Sequence, residues 1–79
     1  MRGSMKLKKA IAQGKVTVYN PRSGEANLFL LDANQKQISV IIPGKGTVEI
    51  APKYCPLAHV TRSRNLDTHL KAGHLRIVK

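Results

Sequence analysis

Between Gln37 and Ala51 the chain reads QISVIIPGKGTVEIA, and this stretch limits the fold more than any other. Ile38, Val40 and Ile42 alternate with Gln37, Ser39 and Ile41, and beyond Pro43-Gly44-Lys45-Gly46 the residues Val48 and Ile50 alternate with Thr47 and Glu49. A period of two puts alternate side chains on opposite faces of an extended strand. Gly and Pro between two such runs favour a tight reversal. The spacing predicts a β-hairpin with one apolar face turned to the core and Lys45 exposed at its tip. Pro43 has no N–H to give to a ladder, so the first of these strands ends before it.

Further strands are expected on either side. Lys15 to Tyr19 places Val16 and Val18 on one face, and Asn20-Pro21-Arg22-Ser23-Gly24 is a loop dense in turn formers. Ala26 to Leu31 contains four consecutive apolar residues, Leu28 to Leu31, and predicts a strand covered on both faces. Asp32-Ala33-Asn34-Gln35 then turns the chain. After Pro52 the pattern changes: Lys53 to Pro56 is loop-like, and Leu57 to Thr61 fits either a strand or irregular structure. Ser63 is placed to cap a helix that carries Leu66 and Leu70 four apart and stops at Gly73. Leu75, Ile77 and Val78 form a last strand, with Arg76 and Lys79 outward. The order β-β-β-β-α-β with hairpin-sized loops predicts a mainly β (β-rich α+β) fold, a small antiparallel sandwich or partly open barrel with one short C-terminal helix.

A chain of 79 residues accommodates one domain. Residues 1–4, followed by a second Met at position 5, read as an expression leader, with Met5 as the natural start. Residues 5–14 read as a basic arm or short helix and residues 15–79 as the domain. With Tyr19, Phe29 and Tyr54 as its only aromatics, the core must be built from Val, Ile and Leu. Cys55 is the single cysteine, which excludes a disulfide-stapled scaffold. No apolar run approaches the roughly 20 residues of a membrane span, so no membrane partner is expected. With a single cysteine, a reducing cytoplasm, or a particle assembled in one, is the expected setting.

The chain carries 14 Lys and Arg against 4 acids, Glu25, Asp32, Glu49 and Asp67, for a formal charge of +10. Such a surplus favours polyanionic partners, such as nucleic acid, an acidic protein surface or anionic lipid; the alternative is that it serves solubility and blocks sheet edges. Arg62, Arg64, Lys71 and Arg76 lie close in sequence, the first two at the start of the predicted helix, where free N–H groups and guanidinium donors can meet phosphate. With Lys45 they are the expected contacts to nucleic acid or an acidic partner. Three scattered aromatics make no stacking platform, so nucleic-acid binding would rest on phosphate contacts and fall steeply with salt.

Chemistry-bearing groups are sparse. Cys55, His59, His69 and His74 are of metal-ligand type, and THLKAGH resembles the histidine half of a zinc finger. The paired cysteines of such a finger are missing, so no metal is favoured, a CysHis3 zinc site being the outlying alternative. Cys55 with His59 is the sole nucleophile–base pair, with Asp67, Asn65 or Asn34 to orient the ring, but a lone Cys in a small domain more often serves as a core hydrophobe. Pro43 to Gly46 lacks the strand-to-helix setting and the spacing of a phosphate loop. Neither a cofactor nor an enzymatic activity is expected.

One resemblance covers most of Lys15 to Lys79. A Val-rich strand ending in Asn (Val16 to Asn20) is followed by a strand, a turn and a strand, then by Pro-Gly before an alternating strand (Pro43 to Ile50), a short helix and Gly-x-Leu-x-Ile-Val (Gly73 to Val78). This resembles small virion-associated proteins of tailed bacteriophages, of the head, neck or tail accessory kind. The resemblance implies a structural protein that works by protein–protein contact, often in many copies as a homo-oligomer or within a larger assembly, and it brings no catalytic residues. The alternative is a small basic nucleic-acid-binding or regulatory protein using phosphate contacts from Arg62, Arg64, Lys71 and Arg76.

Overall fold

Each alternating run forms the strand its period predicts, but the strands do not all pair with their chain neighbours. A computed structural model describes residues 8–78, Thr61 by its backbone alone. The expected leader, the start of the N-terminal arm and Lys79 lie outside these residues. Residues 8–12 are helical (α1). There follow β1 (Val16–Tyr19), β2 (Ala26–Leu31), β3 (Gln37–Ile42), β4 (Thr47–Ala51), α2 (Leu57–Arg62), α3 (Arg64–Ala72) and β5 (Arg76–Val78). The fold is mainly β, with two antiparallel sheets and short helices, and the sheets do not close into a barrel.

The hairpin expected over Gln37–Ala51 is not formed. β3 pairs with β2, whereas β4 pairs with β1, giving one sheet of order β4-β1-β5 and another of β2-β3. The reason lies in the turns. Asp32 closes the β2–β3 connection tightly: its Oδ1 accepts from the N–H of Asn34 and of Lys36, both at 2.9 Å, and its own N–H donates to Lys36 O. Pro43 to Gly46 does reverse the chain, with Gly46 N donating to Pro43 O at 2.9 Å. Its remaining groups, however, are taken by the loop after β1. Asn20 N donates to Gly46 O and Lys45 N to Arg22 O, both at 2.9 Å. The turn is thereby fastened to a different part of the chain, and its two flanking strands enter different sheets. Lys45 is exposed as expected, but its Nζ donates to Pro21 O, so the ammonium is not an open tip.

The core lies between the sheets. Val16 and Val18 of β1, Leu28 and Leu30 of β2, Val40 and Ile42 of β3 and Ile50 of β4 are buried there. Ala10 of α1, Val60 of α2, Leu66 of α3 and Leu75 complete it. The Leu57 region is helical rather than extended: Leu57 and Val60, three apart, meet the core from one helix face, a spacing too short to be told from a strand by periodicity alone. The Ser63–Gly73 helix forms as its ends predict. Ser63 Oγ accepts from Leu66 N at 3.1 Å, and Gly73 closes the helix at φ 79°, with its N–H on His69 O and Leu70 O. β2 departs from expectation, because Leu28 and Leu30 are buried while Asn27, Phe29 and Leu31 are exposed. One face of that strand is open.

Candidate interaction surface

In the β2–β3 ribbon Asn27 stands opposite Ile41, Phe29 opposite Ser39 and Leu31 opposite Gln37. Because side chains alternate, these residues share the outer face, and Leu28, Leu30, Val40 and Ile42 share the core face. The outer face therefore presents Phe29, Leu31 and Ile41, which are 42%, 43% and 53% exposed. These three apolar side chains stand among Asn27, Ser39 and Gln37, without a cover among the described residues.

The helices close one edge of the ribbon with side chains. Asn65 Oδ1 accepts from Phe29 N at 2.9 Å, and Ser63 Oγ donates to Phe29 O at 3.3 Å. His59 Nδ1 meets Leu31 O and His69 Nε2 meets Asn27 O, each at 3.0 Å. A carbonyl oxygen can only accept, so these ring nitrogens carry the hydrogens. Four side chains from α2, α3 and their junction thus take the place of a neighbouring strand along β2. Ser63 serves twice, as the α3 cap and on this edge. Ser63→Ala is expected to cost about 1–2 kcal/mol in urea unfolding, whereas a loss of a few tenths would show that neither the cap nor the bond to Phe29 O contributes.

This use of the histidines separates the ligand-type cluster. Asn27 and Leu31 are four residues apart on one strand, about 13 Å at the usual rise, so the rings that bond their carbonyls do not share a centre. His69 and His74 approach with ring centroids 5.5 Å apart. Among the described residues no group of three or more His, Cys, Asp or Glu is placed to hold a metal ion. Cys55 is buried, and burial pushes its thiol above the usual range, the opposite of what activates a nucleophile. Of the residues considered for orienting His59, Asn65 holds Phe29 N with its side chain and Asp67 pairs with Lys71 at 2.9 Å.

The basic residues divide as well. Arg62 and Arg64 are exposed and line a cleft of about 310 Å³ with Phe29, Leu31, Gln37 and Asn65. Lys71 is in its ion pair on α3, Arg76 lies on β5 opposite Tyr19, and Lys45 holds Pro21 O; none of these lines the cleft. Phe29, Leu31 and Ile41 are not among the contact residues expected from the sequence, which places Phe29 and Leu31 in a strand covered on both faces. Their signal is the odd-numbered phase of two strands whose even-numbered residues fill the core, visible only once the pairing is known. No helix among the described residues is long and apolar enough to cross a membrane. Comparison with protein-family models, with curated proteins and with solved structures gave no match in any of the three.

Proposed function

We propose that this is a non-enzymatic interaction protein that works by protein–protein contact through the outer face of the β2–β3 ribbon. The observation that carries this reading is the exposure of Phe29, Leu31 and Ile41 on one face, with Arg62 and Arg64 at its border. These positions lie on the face of the ribbon turned away from the core. Contact surfaces have this make-up, an apolar centre with aromatic residues and Arg and a charged rim. The partner that fits is a protein surface with an apolar centre and an acidic fringe. In the setting that the phage resemblance implies, it is a subunit of a head, neck or tail assembly.

The test is differential capture from the source cell after crosslinking, with wild type and with Phe29→Asp and Arg62→Glu variants of matched stability. A partner retained by wild type and lost from both variants supports the reading, and an identical set captured by all three ends it. Phe29 beside two arginines also supports the nucleic-acid alternative, since a base could stack there. One ring among aliphatic and uncharged polar side chains offers room for one base only, which is why protein contact is preferred. Titration with a single-stranded oligonucleotide at two salt concentrations decides: salt-sensitive binding weakened by Phe29→Ala would move the site to nucleic acid.

A further inference from the structure

The β2–β3 ribbon has two edges, and they are treated differently. The outward main-chain groups of Asn27, Phe29 and Leu31 are bound by the helix side chains. These residues therefore occupy the non-hydrogen-bonded pairs of the ladder, so the N–H and C=O groups of Gln37, Ser39 and Ile41 opposite them point away on the β3 side. β3 pairs with β2 alone, and no described residue takes up that edge.

Open edges in natural sheets are blunted by charge, Pro, a bulge or a cover. The edges of the other sheet conform, since β4 carries Glu49 and β5 is three residues long with Arg76. β3 is six residues, Gln-Ile-Ser-Val-Ile-Ile, with no charge and no Pro, in a chain that carries 14 Lys and Arg. A strand of this composition at an open edge is a template for another strand.

We infer that the β3 edge pairs antiparallel with β3 of a second copy, Ser39 opposite Ser39 across a two-fold axis. This inference deepens, and rests on, the reading of the ribbon as a contact surface. Only this register uses all three outward residues, with Gln37 of each copy opposite Ile41 of the other. Lys36 then falls opposite Ile42, so no basic residue opposes another. Odd residues stay on the outer face and even residues on the core face. The product is a four-stranded sheet, β2-β3-β3-β2, whose outer face carries the Phe29, Leu31 and Ile41 sets of both copies with the two Ser39 and two Gln37 side chains between them. A single six-residue edge buries less than the roughly 1,200 Å² of a stable interface. The association is accordingly weak and concentration-dependent.

Light scattering on the full chain from about 10 µM to about 1 mM, a span suited to weak interfaces, is expected to show the mass rising from monomer toward dimer. Ser39→Lys and Ser39→Glu each place like charges across the axis and should weaken dimerisation roughly tenfold, and an equimolar mixture of the two should restore it as a heterodimer. In wild type, the amides of Ser39 and Ile41 should gain hydrogen-exchange protection only at high concentration, a readout that needs no variant to fold. A monomer across the whole range overturns the inference while leaving the capture result at Phe29 standing. A dimer that survives both single variants, or one without protection at Ser39 and Ile41, overturns it too, because the copies then meet elsewhere. Capture that is lost only from Phe29→Asp and Arg62→Glu, with dimerisation intact, separates the two surfaces.

Discussion

Asn20→Ala is expected to lower the unfolding free energy by about 2–4 kcal/mol, a large part of the roughly 4–12 kcal/mol available to a domain of this size. Asn20 is the one fully buried polar side chain among the described residues. Its Nδ2 donates to Gly24 O at 2.7 Å and to Ile42 O at 3.1 Å, and its Oδ1 accepts from Arg22 N at 3.0 Å. With its own N–H on Gly46 O, it holds both ends of the turn that carries the chain from one sheet to the other. Alanine keeps the last bond and loses the other three, leaving Ile42 O without that partner in the interior and Gly24 O and Arg22 N without it at its margin. Urea unfolding checks this: the midpoint should fall while the slope stays unchanged. Asn20→Asp sharpens the test. It keeps the acceptor toward Arg22 N but turns a second oxygen toward two carbonyls, which disfavours the ionised form in the fold. The introduced carboxyl is therefore raised relative to the unfolded chain, and its penalty is small below the ordinary carboxylate range and grows as pH rises through it. A variant as stable as wild type at neutral pH would show that the two donated bonds carry no weight.

What could be read from the chain follows from what periodicity contains. Alternation over Val16–Tyr19, Gln37–Ile42 and Thr47–Ala51 states which side chains share a face, and those strands are present. It does not state which strand lies alongside. Adjacency made β3 and β4 a hairpin, but pairing was decided by bonds from Asn20 to atoms 4 and 22 residues away. The helix caps at Ser63 and Gly73 were legible because capping is local chemistry. The histidines were not, because grouping ligand-type residues by spacing assumes that they converge. His59 and His69 instead reach carbonyls 28 and 42 residues away, each closing its own part of the β2 edge. The apolar run Leu28–Leu31 looked like a strand covered twice over. Its outer face proved open because β3, the strand beside it, contributes Ile41 to that same face and nothing described lies across them. The candidate surface was thus hidden in a feature whose ordinary meaning is the interior.

Gly44→Ala is expected to be at least as costly as the loss of Asn20, by a different route. A Cβ on Gly44 would stand 2.1 Å from Ser23 O, 2.4 Å from Ser23 C and 3.0 Å from Arg22 O. All three are main-chain atoms, so no rotamer change relieves the clash, and the turn must lift off the loop after β1. Overpacking of this kind costs about 3 kcal/mol or more when backbone has to move. Gly24 is the control: a Cβ there meets nothing within 4 Å, and Gly24→Ala should be neutral or stabilise by about 0.5 kcal/mol through the unfolded chain. If Gly44→Ala unfolds at the same urea concentration as Gly24→Ala, the close approach of turn and loop is not a feature of the fold in solution. Asn20 and Gly44 act on one joint, the seating of Pro43–Gly46 against Pro21–Gly24, so their effects cannot be independent. Once alanine at 44 has lifted the turn, the Asn20 Nδ2 bond to Ile42 O, which alanine at 20 also removes, is already weakened. The double variant should therefore lose at least about 1 kcal/mol less than the sum of the singles. Strict additivity would mean that two separate joints, rather than one, hold the sheets in register.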